Sequence, residues 1–445
     1  MTHDGREAYV VVDLGFGDAG KGTVTDFLVR RLGAHTVLRF NGGAQAGHNV
    51  VTPEGRHHTF SQFGAGTFVP GVRTHLSRHM VVHPLALLTE AEALRAQGVA
   101  DALERLSIDR EALAITPFQQ ASNRLRELAR GSARHGSCGV GVGETVSDAL
   151  SLGDDAVRMG DLDDPRALLR KLRALQERKR AELAEALGAT LGLAEATPER
   201  AVLQDPGAPE RVAERWRALR ERLRLVDGAR LARVLRAPGA VVFEGAQGVL
   251  LDEWRGFHPY TTWSTCTPDN ALGLLAEHGY HDPSTVLGVL RSYTSRHGAG
   301  PMPTEDSGFL QRCPEAHNTT HPWQGAFRAG PLDLVLTRYA LAASKHVHAL
   351  AVTHLDRLVA DAPWPTCARY QDADALPLGP FMDLAHQERL TARLSAARPV
   401  ITETTYGHSD AFLDALEDAL GLPVALGSHG PRWDHKVLRG PTLTP

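Results

Sequence analysis

A glycine-rich segment near the N-terminus has the residue types that hold phosphate groups, Gly15-Phe16-Gly17-Asp18-Ala19-Gly20-Lys21-Gly22-Thr23. It departs from the pattern G-x-x-x-x-G-K-[ST] only at the last position, where Gly22 replaces a hydroxyl residue. Backbone N–H groups, a helix N-terminus and Lys21 would together attract phosphate oxygens. Asp18 could supply the Mg²⁺ ligand that the missing hydroxyl would otherwise provide. The alternative is a glycine-rich turn with one exposed lysine.

A second polar cluster follows the next apolar run, Arg39-Phe40-Asn41-Gly42-Gly43-Ala44-Gln45-Ala46-Gly47-His48-Asn49. Ligands bind at the carboxyl ends of strands in parallel sheets, so this position favours a binding loop. Taken alone, His48 would more often be a surface or core histidine than a catalytic one. Its place beside a phosphate loop makes it a candidate catalytic residue.

The elements around these loops predict an α/β fold. Ala8–Gly15 is a short β-branched run, residues 21 to 32 carry apolar side chains at helical spacing, and Ala34–Phe40 returns to strand. This order is a βαβ unit of a parallel sheet. Further strands are predicted at His75–His83, Ala240–Glu244, Thr285–Tyr293, Val347–Thr353, Pro399–Thr402 and Pro423–Leu426, and further helices at Leu85–Gln97, Leu332–Ser344, Leu384–Ala397 and Ala411–Leu420. We predict one domain over residues 1–445, with a large, mostly parallel central sheet flanked by helices.

Residues 165–235 differ in composition and predict a helical insertion within that domain. The segment is rich in Arg, Glu, Ala and Leu and has few β-branched residues. Two amphipathic helices fit it, joined near Ala196–Pro209. Its arginines could form a basic patch, but acidic residues at i,i+4 spacing favour a solvated helical face.

Overall composition excludes several classes of protein. The chain has 445 residues, 42% of them hydrophobic, and a formal net charge of −4. No basic field attracts a nucleic acid polymer or an anionic membrane. Cys138, Cys266, Cys313 and Cys367 form no C-x-x-C pair, which argues against a structural zinc site or a disulfide framework. The N-terminal apolar stretch is too short for a signal peptide, so a cytoplasmic enzyme is predicted.

The two polar clusters resemble the signatures W-G-D-E-G-K-G-K and G-G-H-N-A-G-H-T of the adenylosuccinate synthetase family. Other matches follow in the same order, between residues 9 and 438: Phe243-Glu244-Gly245-Ala246-Gln247-Gly248 with F-E-G-A-Q-G, residues 292–305 with Y-S-T-R-V-G-A-G-P-F-P-T-E, Thr353-His354-Leu355-Asp356 with T-K-L-D, and Gly427-Ser428-His429-Gly430-Pro431 with S-x-G-P. The resemblance therefore covers nearly the whole chain.

The resemblance implies a GTP- and Mg²⁺-dependent ligase. The family phosphorylates the 6-oxygen of IMP and then lets the amino group of aspartate displace the phosphate. By motif, Asp18 would be the general base and a Mg²⁺ ligand, and the Gly47 carbonyl a second ligand. His48 would donate to the phosphate oxygens, Lys21 would hold phosphate, and Gln247 would steady the phosphorylated oxygen. The family is homodimeric, so a homodimer is expected.

The resemblance also assigns the nucleotide site. Asp356 would accept the N–H groups of guanine and so select GTP over ATP. In the family a lysine stands where this chain has His354. The other residues expected to bind the nucleotide are Gly17, Gly20, Lys21, Gly22, Ser428 and Gly430.

The acceptor positions depart from the family pattern. Gln45 replaces an asparagine and Cys138 a threonine, while Thr262 is retained. A family arginine that crosses from the second subunit falls at Leu152. Leucine cannot replace a bidentate arginine–phosphate contact.

The loop that binds aspartate in the family, T-G-R-R-R-R-T-G-W-L-D, becomes Trp323-Gln324-Gly325-Ala326-Phe327-Arg328-Ala329-Gly330-Pro331-Leu332-Asp333. Of its four arginines only Arg328 is left, and Arg296 could still hold a carboxylate or a ribose. Three interpretations remain open: a related ligase with another acceptor or amine, such as one of nucleoside-type secondary metabolism; an orthodox synthetase of purine biosynthesis; and a GTP-binding regulatory protein without turnover.

Overall fold

A ten-stranded central sheet organises the protein in the computed structural model, which describes residues 5–131, 134–315, 318, 320 and 323–443. The strands are β1 Arg6–Asp13, β2 Thr36–Arg39, β3 His48–Val51, β4 His57–Phe60, β5 Arg73–Leu76, β6 Val81–Val82, β7 Leu106–Asp109, β8 Leu113–Ala114, β9 Leu225–Val226, β10 Gly239–Glu244, β11 Ser284–Arg291, β12 Thr294–His297, β13 Phe327–Gly330, β14 Leu332–Asp333, β15 Ala349–Thr353, β16 Pro363–Tyr370, β17 Pro399–Thr405, β18 Val424–Ser428 and β19 Lys436–Leu438. The order of the central sheet is β19-β18-β15-β11-β1-β10-β2-β5-β7-β9, and all of its pairs are parallel except β18–β19. The predicted α/β class with a mostly parallel sheet is confirmed.

Helices cover both faces of this sheet. They are α1 Lys21–Leu32, α2 Pro84–Ala96, α3 Pro117–Arg130, α4 Val142–Leu152, α5 Pro165–Glu182, α6 Ala184–Ala189, α7 Thr197–Gln204, α8 Ala208–Arg220, α9 Gly228–Arg236, α10 Asp269–Glu277, α11 Phe309–Arg312, α12 Leu334–Ser344, α13 Leu384–Ala396 and α14 Ser409–Leu420. Burial on both faces explains why strands such as β1 are continuous apolar runs rather than alternating ones. Among the described helices, none has the length and apolar character needed to cross a bilayer.

The helical segment is more divided than the sequence predicts. In place of two helices, residues 165–235 form α5, α6, α7, α8, the short strand β9 and most of α9. Asp164 caps α5, with Pro165 at its first position. Asp205 and Gly207 separate α7 from α8, and Asp227 caps α9. Side chains of α5, α7 and α8 share one hydrophobic core with α2, α3, β5 and β7.

Two predicted strands also differ from the structure. The run His75–His83 is divided into β5 and β6 by a turn in which the Met80 amide donates to the Ser77 carbonyl. The run at Pro399 becomes β17, which pairs with β16 in a separate three-stranded sheet. Both runs are apolar, and apolarity alone does not say which sheet a strand joins.

Candidate active site

The phosphate loop, residues 14–20, joins β1 to α1, and three of its residues have a left-handed backbone conformation. Gly17 has φ 91° and Gly20 φ 95°, values that glycine adopts without a steric penalty, and Asp18 has φ 59°. A Cβ atom on Gly22 would lie 2.8 Å from Cβ of His48. The missing hydroxyl is thereby explained, because a serine or threonine side chain at Gly22 would displace His48.

A buried carboxylate that the sequence analysis did not identify organises this loop. Asp13, the last residue of β1, accepts hydrogen bonds from the amides of Gly15 (2.8 Å) and Ala19 (2.9 Å) and from Nζ of Lys21 (2.8 Å). The Asp13 and Lys21 side chains are only 0% and 2% exposed. Lys21 lines a large cavity of about 1240 Å³, which is the candidate active site. Its ammonium group is held there in an internal ion pair and is not the free point charge that the motif suggests. One acidic residue at the end of an apolar run, V-V-V-D, was the available signal.

Asp13→Ala should lower the free energy of unfolding by about 3–5 kcal/mol, because it leaves an ammonium group buried without its partner. Denaturant titration measures this change. The matched control is Asp418→Ala, an exposed position on α14, where a change within about 0.5 kcal/mol is expected. Equal stability of the two variants would show that the ion pair does not stabilise the fold.

His48 faces the cavity from the start of β3. Its Nδ1 lies 2.8 Å from Oε1 of Glu244 at the end of β10, and its Nε2 has no hydrogen-bond partner among the described residues. Burial lowers the pKa of His48. The charge of Glu244 raises this pKa and the charges of Arg39 and Lys21 lower it, so that it stays below its ordinary value. The ring is thus held by Glu244 through Nδ1, while its buried Nε2 has no partner in the described part of the chain.

The loop after β10 contacts both the phosphate loop and Thr262, one of the residues predicted to bind the acceptor. Gln247 has φ 62°, and its Nε2 donates to Oγ1 of Thr262 at 2.7 Å. A Cβ on Gly248 would lie 2.1 Å from the carbonyl oxygen of Gly15, so only glycine allows the two loops to pack this closely. Gln247 and Thr262, two of the predicted site residues, therefore lie together.

Asp18 is a suitable Mg²⁺ ligand. Its main-chain oxygen accepts a hydrogen bond from Nε of Arg291 at 2.7 Å, which fixes the backbone, while Oδ2 lies 3.7 Å from Nε2 of His297. Asp18 and Gly47 both line the cavity, and carboxylate and carbonyl oxygens suit Mg²⁺. No group of three or more His, Cys, Asp or Glu residues that could hold a metal occurs in the described ranges. Mg²⁺ commonly takes its remaining ligands from phosphates and water, so these residues fit the ion.

The ends of β15 and β18 form the other end of the cavity. Oγ1 of Thr353 donates to the carbonyl of Ala19 at 2.7 Å and lies 2.9 Å from Nδ1 of His354, which joins this end to the phosphate loop. Asp356 lines the cavity, and its Oδ2 lies 3.4 Å from Nε of Arg357. Ser428 and Gly430 line the same wall, as do the predicted residues Gly17, Gly20, Lys21 and Gly22.

Asp356→Asn should reduce the preference for GTP over ATP by about 10- to 100-fold. A carboxylate accepts from N1–H and N2–H₂ of guanine but finds no matching donors on the N1 edge of adenine. Losing a hydrogen bond to a charged group costs about 1.5–3 kcal/mol. Steady-state rates with each nucleotide measure the ratio, and Asp361→Asn, at an exposed residue outside the cavity, is the control. Equal use of GTP and ATP by the unmodified protein would contradict this role.

Gln45, Cys138 and Thr262, three of the predicted acceptor residues, line the opposite end of the same cavity of about 1240 Å³. The amide oxygen and nitrogen of Gln45 are buried and have no hydrogen-bond partner among the described residues. Burial raises the pKa of the Cys138 thiol, which keeps it neutral. These side chains offer hydrogen bonds but no charge.

Ion pairs engage one lysine and two arginines that line this end of the cavity. Lys179, 2% exposed, contacts Glu144 (3.0 Å), Asp148 (2.7 Å) and Glu182 (3.0 Å). Burial opposes its charge, but the carboxylates raise the pKa of Lys179 above its ordinary value. The remaining pairs at this end are Arg126 with Glu144 and Glu182, and Arg130 with Glu127. The sequence analysis missed this network.

Two predicted arginines have their polar atoms engaged within the protein. Arg296 is buried, donates to the carbonyls of Pro301 (3.0 Å) and Tyr260 (3.2 Å), and stacks on Phe16 at 4.3 Å. It lines the cavity with its Nε unpartnered among the described residues. Arg328 pairs with Glu305 and is not among the residues that line the cavity. Leu152, at the end of α4, is also absent from the lining.

Comparison with known proteins shows the family of this chain. Residues 10–437 match the family model for adenylosuccinate synthetase. The chain belongs to the adenylosuccinate synthetase family. Relatives include the adenylosuccinate synthetases of Marinomonas sp. (strain MWYL1), 32% identical with 97% of this chain and 98% of the relative aligned, and of Mycobacterium sp. (strain KMS), 30% identical with 98% and 99% aligned. This membership makes the protein a GTP-dependent ligase that forms C–N bonds and uses Mg²⁺.

Solved structures share the fold. The fully ligated adenylosuccinate synthetase of Plasmodium falciparum superimposes with a TM-score of 0.77 at 21% identity, covering 97% of this chain and 99% of that one. The cyanophage S-2L succinoaminodeoxyadenylate synthetase, bound to dGMP and to dATP as an energy donor, gives 0.60 at 18% identity, covering 97% and 95%. At these identities the likeness supports the fold alone.

Proposed function

We propose that this ligase phosphorylates a carbonyl or lactam oxygen of an acceptor other than IMP and then joins an aspartate-like amine to it. The γ-phosphoryl group moves from GTP to the acceptor oxygen. The amine nitrogen then forms a bond to the same carbon, the C–O bond breaks, phosphate leaves, and the nitrogen loses a proton. A lactam oxygen is a poor leaving group until it is phosphorylated, so the order of steps follows from the chemistry.

The nucleotide-activating residues would act as follows in this proposal. Asp18 removes the lactam proton and holds Mg²⁺ together with the Gly47 carbonyl. The metal would neutralise charge on the transferring phosphate. His48 presents Nε2 to the phosphate oxygens, and Gln247, held by Thr262, steadies the phosphorylated oxygen. Phosphoryl transfer depends mainly on positioning and charge stabilisation, which these groups can provide.

The main observation behind the proposal of an unusual acceptor is that the cations at the acceptor end of the cavity, where Gln45, Cys138 and Thr262 lie, are already paired with carboxylates. A 5′-monophosphate carries nearly two negative charges, and it is best bound by cations that are free to face it. Here the Lys179 ammonium already contacts three carboxylates, and Arg126 and Arg130 are also paired. Gln45 and Cys138 add only neutral groups. This end of the cavity therefore favours an acceptor without a phosphate dianion, such as a nucleoside-type molecule.

The amine is proposed to be aspartate-like rather than aspartate itself. Arg328, the remaining arginine of the aspartate loop, donates to Glu305 and to the carbonyl of Gly300. A second carboxylate that bound Arg328 would therefore share a guanidinium whose charge Glu305 already neutralises. The cyanophage relative was solved with dGMP bound and with dATP as an energy donor, so a deoxyguanosine-type acceptor belongs among those to be tested.

The test is a panel of acceptors and amines incubated with Mg²⁺ and GTP, with phosphate release and product mass as readouts. Inosine against IMP, and deoxyguanosine against dGMP, are matched pairs that differ only in the phosphate. Ligation that is faster with the unphosphorylated member supports the proposal. Faster ligation of IMP with aspartate would establish the orthodox activity, and nucleotide binding without turnover on the whole panel would favour the regulatory interpretation.

We also propose that the protein acts as a homodimer. Helix α4 begins in the acceptor wall, and its Leu150 is 73% exposed, as an interface side chain would be in an isolated subunit. Sedimentation equilibrium gives the mass directly. A mass of one chain, 48.1 kDa, at micromolar concentration would contradict this expectation.

A further inference from the structure

Glu244 is a buried carboxylate in contact with His48, which lines the cavity, and the sequence motif suggests no role for it. It is the last residue of β10 and is 0% exposed. Its Oε1 lies 2.8 Å from Nδ1 of His48, and its Oε2 accepts a hydrogen bond from the amide of Ala65 at 3.0 Å. Nε of Arg39 lies 3.9 Å from the same Oε2. Both carboxylate oxygens are thus engaged, one of them by the catalytic candidate.

The charge around Glu244 decides which atom of His48 holds a proton. Glu244 is surrounded by donors and positive charge: the Ala65 amide donates to Oε2 at 3.0 Å and Nε of Arg39 lies 3.9 Å from it, which favours the carboxylate form. A carboxylate can only accept, so Nδ1 of His48 must be the donor. The one ring nitrogen left for a ligand is Nε2, which is buried and has no partner among the described residues, while His48 and Lys21 both line the cavity.

The backbone of His48 is fixed independently of this contact. His48 pairs with Phe60 in the β3–β4 ribbon, and Gly22 of α1 packs against it. Loss of the carboxylate would therefore release the ring but leave the strand in place.

We propose that Glu244 is a positioning residue for phosphoryl transfer, which fixes the ring orientation and tautomer of His48 so that Nε2 faces the transferring phosphate. This role holds for any acceptor, because it concerns the phosphate of the nucleotide. It follows the general logic of a buried carboxylate that orients a catalytic imidazole, where the amide variant keeps the shape but permits the wrong tautomer.

Glu244→Gln should lower kcat by about 10²-fold or more while the KM for GTP changes less than about threefold. The assay uses whichever acceptor and amine of the panel give the fastest phosphate release. In a His48→Ala background the same substitution should have no further effect on kcat, since the two residues act as a unit. Glu244→Asp, which keeps the acceptor charge, should retain more activity than the amide variant. Effects that add in the double variant, or a loss confined to KM, would overturn the proposal.

A measurement on the unmodified protein tests this role without a known acceptor and without any change at Glu244. ¹⁵N NMR of the protein labelled at histidine, at a pH where the ring of His48 is neutral, reports which ring nitrogen carries the proton, and His48→Gln assigns the signals. A protonated Nδ1, with and without bound GTP, is expected. A protonated Nε2 with a bare Nδ1 would refute the role of Glu244 and would leave the proposed acceptor chemistry unaffected.

Discussion

Asp18→Asn should abolish turnover while leaving the fold intact. The amide can neither take the acceptor proton nor bind Mg²⁺ as a carboxylate does, so the loss should exceed the roughly 10²–10⁴-fold of general base catalysis alone. Asparagine is the informative replacement because Asp18 has φ 59°. Asparagine tolerates this left-handed conformation, whereas alanine would add backbone strain to the chemical effect.

Asp361→Asn is the matched control for this experiment. Asp361 also has a left-handed backbone, with φ 61°, but it is exposed and outside the cavity lining. Phosphate release and thermal midpoint are compared for both variants. The control should match the unmodified protein in both, and Asp18→Asn should match it in thermal midpoint only. Turnover of Asp18→Asn within a few-fold of normal would contradict the assigned base.

The fold and the activating half of the site could be predicted because their signals are local. The β-branched run before Gly15 and the helical spacing of residues 21 to 32 fall within two residues of β1 and α1. The same holds for α12 and α13, where an apolar period and a capping residue lie within one segment. Gln247 and Asp356 follow the ends of the parallel strands β10 and β15, and His48 stands at the end of the loop that follows β2. All three residues line one cavity.

The features that the sequence analysis missed are pairings between distant positions. Glu244 and His48 are 196 residues apart, and Glu144 and Lys179 are 35 apart. Neither contact leaves a periodic pattern, because each depends on the final packing of separate elements. The division of residues 165–235 was missed for another reason. Its breaks are single caps such as Asp164 and Asp227, which a composition average over the segment conceals.

Ion pairs of this kind also explain why the motif does not predict whether the charges of Lys21 and Arg328 are available to a substrate. A motif places a cation in a loop but does not show whether a carboxylate neutralises it. Asp13 pairs with Lys21, and Glu305 pairs with Arg328. Family membership thus establishes the reaction type, while the charge left over for a substrate has to be read from the structure.

This protein should be a poor synthetase of adenylosuccinate, because in the described part of the chain Lys179, two arginines at the acceptor end and Arg328 are already paired with carboxylates. They are therefore less able to bind the phosphate of IMP and the carboxylates of aspartate. Each missing contact to a charged group should cost about 1.5–3 kcal/mol. Two or three such losses, at Cys138, Leu152 and the loop of Arg328, lower kcat/KM by roughly 10³-fold or more at about 1.4 kcal/mol per decade. Arg296 could compensate in part through its unpartnered Nε.

Releasing the paired cations should partly restore the use of IMP, and this decides between the two ligase interpretations. Glu144→Gln removes a carboxylate that contacts both Arg126 (2.8 Å) and Lys179 (3.0 Å). One added positive charge near the acceptor phosphate should raise kcat/KM for IMP about tenfold. The free energy that corresponds to this factor is only a modest share of the Coulomb energy between two unit charges at an effective dielectric of about 20. Glu185→Gln, at an exposed position outside the cavity, should leave kcat/KM for IMP unchanged, and neither variant should speed the reaction of an uncharged acceptor such as inosine.

The decisive value is kcat/KM for adenylosuccinate formation by the unmodified protein from IMP, aspartate and GTP. A value above about 10⁴ M⁻¹s⁻¹, within the ordinary enzyme range, would establish the orthodox synthetase and exclude the divergent acceptor, since ion pairs that blocked the phosphate could not permit it.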